Sequence, residues 1–111
     1  MKLFKDDGKQ SINGDSPVEV TLDDVFAEID IFPTEDEYEG GFMGLINDNG
    51  ETIQFLKLEK DIWLIDIPIV KDGKYRYSLQ DGNLITEKVK EIIKKYFRGE
   101  DWKSLCNLMK V

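Results

Sequence analysis

Carboxylates dominate the chemistry open to this sequence, because the side chains that most often catalyse are missing or isolated. No histidine occurs among its 111 residues. That removes the commonest general base and the commonest zinc ligand, and it makes a Ser-His-Asp or Cys-His site impossible within the chain. The single cysteine, Cys106, stands at helical spacing with Trp102, Leu105 and Met109. There a thiol is expected to be a small buried hydrophobe, and it has no intrachain disulfide partner. Acids alone can still work in pairs, as glycosidases use them, or bind a divalent cation through oxygen, but no spacing here specifies either. Asn47-Asp48-Asn49-Gly50 carries oxygen ligands, yet aligning Gly50 with the glycine of a calcium loop puts Leu45 at the first ligand position, so the stretch reads as a turn. No phosphate loop or dinucleotide fingerprint is present. The chemistry implies no catalytic residues, no metal and no cofactor.

What remains is charge and its placement. The net charge is −8, unevenly divided: residues 1–53 hold 14 acidic and 3 basic side chains, residues 54–111 hold 9 and 12. The densest stretch runs from Glu28 to Glu39, with Glu28, Asp30, Glu35, Asp36, Glu37 and Glu39 and no base. Tyr38, between two of these acids, is a flat amphipathic group of the type enriched at interface hot spots. A field of this sign repels phosphate backbones and attracts a basic protein domain. The plainer alternative is a solvated loop with Tyr38 folded back on the sheet.

Asp66 is a second candidate, since it interrupts the most apolar run, Ile62-Trp63-Leu64-Ile65-Asp66-Ile67. A buried carboxylate needs a partner or a view of solvent. Arg76 on the neighbouring strand is the expected mate, either in a structural ion pair or beside a charge displayed on an open sheet face.

The elements that must position these groups form one α+β domain over residues 1–111. The core is an antiparallel meander of four or more strands across 41–79, packed by an N-terminal helix and two C-terminal helices. Residues 1–20, rich in turn signals and poor in apolar side chains, are expected to be an edge strand or irregular arm. Thr21 and Asp24 cap a helix over 21–31 whose apolar face is Leu22, Val25, Phe26 and Ile29, and Pro33 closes it. Turns at Asn49-Gly50, Glu59-Lys60-Asp61 and Asp72-Gly73 divide the meander. Trp63 in the central strand is expected to be buried, and Pro68 is expected to bend that strand or end it. Asp81-Gly82-Asn83 should break the last strand. A helix over 86–98, capped by Thr86 and stopped by Gly99, carries the clearest amphipathic pattern, and a shorter one is expected over 101–110.

No apolar run reaches the roughly 20 residues of a membrane span. Met1-Lys2-Leu3-Phe4-Lys5-Asp6-Asp7 turns acidic too soon for the start of a signal peptide, so the cytoplasm is the expected location.

Thr21-Leu22-Asp23-Asp24-Val25, Gly40-Gly41-Phe42-Met43-Gly44-Leu45-Ile46, Thr52-Ile53-Gln54-Phe55, Trp63-Leu64-Ile65-Asp66 and the stretch from Val89 to Trp102 follow one another in an order that resembles small bacterial immunity proteins of polymorphic or contact-dependent toxin systems, most nearly the Imm1-like group. The resemblance spans about residues 21–104 and is one of hydrophobicity and element order. It implies a cytoplasmic inhibitor that binds one toxin domain and has no chemistry of its own. The competing readings are a DNA-mimicking phage or anti-restriction protein, a subunit of a larger assembly, and an acid-only enzyme.

Overall fold

Alternation along the meander decides which face of each strand is buried. In Thr52–Glu59, Ile53 and Phe55 are buried while Gln54 and Leu56 are not; in Ile62–Lys71, Trp63, Ile65 and Ile67 are buried while Leu64 and Asp66 are not. The computed structural model describes residues 1–111. Its strands are β1 (Lys2–Asp6), β2 (Ser11–Ile12), β3 (Val18–Glu19), β4 (Phe42–Ile46), β5 (Thr52–Glu59), β6 (Ile62–Lys71), β7 (Lys74–Ile85) and β8 (Met109–Lys110), and its helices are α1 (Leu22–Ile31) and α2 (Thr86–Arg98). All strands pair antiparallel in one eight-stranded sheet of order β2-β1-β4-β5-β6-β7-β8, with β3 also on β1.

Both helices lie on one face. Val25 and Ile29 of α1 and Val89, Ile92, Ile93 and Tyr96 of α2 join Leu3, Met43, Leu45, Phe55, Trp63 and Ile65 in a single core. Trp63 is fully buried. The start of α1 follows the capping pattern, with Asp24 N–H donating to Thr21 Oγ1 and Thr21 N–H donating to Asp24 Oδ2. The chain leaves α1 at Phe32, extended before Pro33, and Gly99 ends α2 in the left-handed conformation at φ 69°.

Five expectations need correction. Residues 1–20 are not a loose arm: β1 pairs with β4 over its whole length and lies inside the sheet, while β2 and β3 on its other side supply the expected edge. Its apolar content is low, but Lys5, only 3% exposed, is held by carboxylates and needs no apolar neighbour to stay inside. Pro68 does not end β6. It faces Ser78, and register shifts nearby absorb the misfit and carry β7 straight through Asp81-Gly82-Asn83.

Thr86 is the first residue of α2 and does not cap it with its side chain; Ile85 is the cap residue, and Asp61 from the β5–β6 turn accepts the Thr86 N–H at 3.1 Å. The expected helix over 101–110 is a 3-10 turn, Lys103–Leu105, followed by β8. Trp102 is already anchored edge-on against Tyr96. The segment after it satisfies backbone groups on β7, with Val111 N–H donating to Ser78 O, a gain that one more helical turn would not supply.

Candidate protein-docking site

The acidic stretch leaves α1 as a folded loop. Glu37 Oε1 accepts both the N–H and the hydroxyl of Thr34, each at 3.0 Å, and these bonds hold its carboxyl below the usual range. Glu35 Oε1 accepts the Gly40 N–H at 3.0 Å, while the Glu35 N–H donates to Lys57 O. The Tyr38 hydroxyl donates to Asp6 Oδ2 at 2.9 Å, which raises the phenol's pKa. Its ring lies so close over Gly8 that a Cβ there would stand 2.8 Å from it. Tyr38 is thus folded back and fixes the loop.

The other acids divide into two groups. Glu28 pairs with Lys5 at 2.7 Å and Asp30 with Lys90 at 2.7 Å, so two of the six charges are neutralised within the chain. Asp36 and Glu39 make no ion pair, and with Glu35 and Glu37 they leave four uncompensated charges in five residues.

Among these acids stands an apolar side chain that sequence reasoning missed. Ile31, in the last turn of α1, is 77% exposed. It borders a cleft of about 460 Å³ with Pro33, Tyr38, Asp7 and Glu37, and Lys9 is the one cation on its wall. The available signal was its place off the Leu22, Val25, Phe26, Ile29 stripe, which turns Ile31 away from the core.

Asp66 and the acidic loop are not brought together. Asp66 points from the sheet face opposite the helices, and its expected mate is displaced. Register sets Asp66 against Gln80, whose Nε2 donates to Asp66 Oδ1 at 2.8 Å. Arg76 sits at the irregularity near Val70, too far along the ladder to pair with it. Cys106 is half-buried beside Trp102; burial pushes its thiol up to about 11, so it is protonated at neutral pH.

Comparison of the chain with protein-family models, with curated proteins and with solved structures finds no match. No helix is long and apolar enough to cross a membrane. The fold and this cleft define an α+β protein with a recess in which Ile31 and Pro33 lie beside Asp7, Lys9 and Glu37.

Proposed function

We propose that this protein is a non-catalytic binding module that docks a basic protein domain against the edge formed by α1 and the loop from Glu35 to Glu39, as an immunity protein does when it neutralises a cognate toxin in the cytoplasm. The observation that carries the reading is Ile31, an exposed aliphatic side chain that shares its cleft with Glu37, followed in the chain by a loop that carries three further carboxylates without ion pairs. Acids at the rim steer a cation-rich partner, and an apolar group at the centre supplies short-range affinity. The lack of histidine and the protonated state of Cys106 support a role without chemistry. The same charge disfavours direct binding to nucleic acid, whose phosphates it repels.

Capture from the native host, followed by measurement with the purified partner, tests the reading. A stoichiometric basic domain should bind the native chain and dissociate faster from Ile31→Ser. A partner indifferent both to Ile31→Ser and to neutralisation of Asp36 and Glu39 would overturn it.

A further inference from the structure

Helices cover only one face of the sheet. On the other, the outward positions of the two central strands include Leu56, Leu58, Ile62, Leu64 and Pro68, all half-buried, together with Gln54 and Asp66. A solvated antiparallel face ordinarily alternates apolar-in with polar-out, and here much of the outward set is apolar as well. Gly82 on β7 adds no side chain beside Leu64 and Leu58, to which a Cβ would come within 3.7 and 3.8 Å, so the surface stays low and accessible there.

One polar row crosses this face. Gln54 of β5, Asp66 of β6 and Gln80 of β7 lie directly opposite one another in register. The flanking row on one side is Leu56 and Leu64; on the other, Pro68 faces Ser78. Asp66 has one hydrogen bond, from Gln80, and no cation of the chain within ion-pair distance. A half-buried carboxylate with leucines on one side, an amide on either hand and no counter-charge has acceptor capacity left for a cation.

We infer that this open face is a second docking surface whose occupant is a partner protein presenting an arginine from an apolar patch. The inference rests on the reading of the chain as a binder of basic proteins, and it assigns a different face from the cleft at Ile31. A planar guanidinium can meet the carboxylate with two parallel N–H bonds and offer its remaining donors to the amide oxygens of Gln54 and Gln80. It is also more weakly hydrated than an ammonium, which suits the leucine flanks. A second copy of the chain does not fit: a two-fold axis through the centre of this face would set Asp66 against Asp66, and like charges so placed are penalised.

The test uses blocked Leu-Arg-Leu, Leu-Lys-Leu and Leu-citrulline-Leu tripeptides titrated into the isotope-labelled full chain, read by NMR. The expected result is saturable movement of the Gln54 and Gln80 side-chain amides with the arginine peptide at millimolar concentration. The response should be weaker with lysine and absent with uncharged citrulline. In Asp66→Asn, which is isosteric and can keep the bond from Gln80, affinity should fall about tenfold, with the rest of the spectrum unchanged as the control for folding. Equal responses to all three peptides, or a stationary Gln54–Asp66–Gln80 row, overturn the inference, as does concentration-dependent dimerisation through this face in sedimentation. If the peptide instead moves only resonances around Ile31 and Glu37, this inference fails and the acidic-edge reading stands. If the row responds but a captured partner ignores Ile31→Ser and acid neutralisation, the edge reading fails alone.

Discussion

The indole nitrogen of Trp63 donates to the hydroxyl of Thr86 at 3.0 Å, tying the most buried aromatic of the central strand to the first residue of α2. Thr86 in turn, through its hydroxyl and its N–H, holds the Asp61 carboxyl below its usual range. One residue therefore satisfies a core donor and anchors a helix end. Thr86→Val keeps the shape and removes the acceptor, leaving a buried N–H unpaired. It should cost about 1–3 kcal/mol in urea unfolding, against about 3–5 kcal/mol for Trp63→Ala. A Thr86→Val protein as stable as the native one would mean that water reaches the indole.

Loss of stability in acid should draw on the cluster around Lys5. Burial pushes the Asp7 carboxyl up, but bonds from Lys5 and from the N–H groups of Gln10 and Lys9 outweigh it and hold it at about 2, below its ordinary 3.8. A carboxyl lowered by folding contributes stability above its unfolded value and loses it as pH falls through the folded one. The contribution should be complete above about pH 5 and decline toward about pH 2. Denaturation as a function of pH should show a shallower loss for Asp7→Asn across that window, starting from a lower stability at neutral pH. Parallel curves would refute this role for Asp7.

Glycine at position 44 is matched to Phe4. The two face each other across β1 and β4 on the open face, and a Cβ on Gly44 would meet the far end of the ring at 2.0 Å. Gly44→Ala must swing Phe4 aside and should destabilise the native chain. With Phe4→Ala already in place, the same change should cost less, since alanine restricts the unfolded chain. A double-mutant cycle should yield a coupling of about 0.5–3 kcal/mol; additive effects would show that the ring relaxes freely.

Local pattern carried much of this fold. Alternation at Ile53, Phe55, Trp63 and Ile65, the reciprocal cap of Thr21 and Asp24, and the left-handed stop at Gly99 are properties of neighbouring residues, so they are legible without the fold. The misreadings share the opposite cause. Lys5 finds Glu28 at a separation of 23 residues and Thr86 finds Asp61 at 25; composition around each residue gives no hint of its partner, and of the two readings open for Tyr38 it is the bond to Asp6, 32 residues away, that selects the folded-back one. Asp66 was recognisable as needing one, but the tight turn at Asp72-Gly73 starts the β6–β7 ladder at Lys71 and Lys74, which leaves Arg76 near Ile69 and Val70 and carries Asp66 to Gln80. In the candidate site the acids were legible as a run. Their division into paired and free charges, and the exposure of Ile31, depend on where α1 lies against β1 and α2.

That division separates steering from stability. Glu28 belongs to the Lys5 cluster, so Glu28→Gln should leave a buried ammonium with one carboxylate fewer and cost about 1–3 kcal/mol. Asp36 and Glu39 hold nothing in place, and changing both to their amides should alter stability by no more than about 0.5 kcal/mol. Toward a basic partner, the Asp36→Asn, Glu39→Gln double variant should lower the association rate and flatten its dependence on ionic strength, with little change in dissociation. Ile31→Ser should do the reverse, raising the dissociation rate at an unchanged salt dependence and near-native stability. Stopped-flow association at several salt concentrations, with unfolding curves for each variant, measures both quantities. If the double variant associates as fast as the native chain at low salt, these acids only keep the protein dispersed, and the partner must be sought on the sheet face around Asp66.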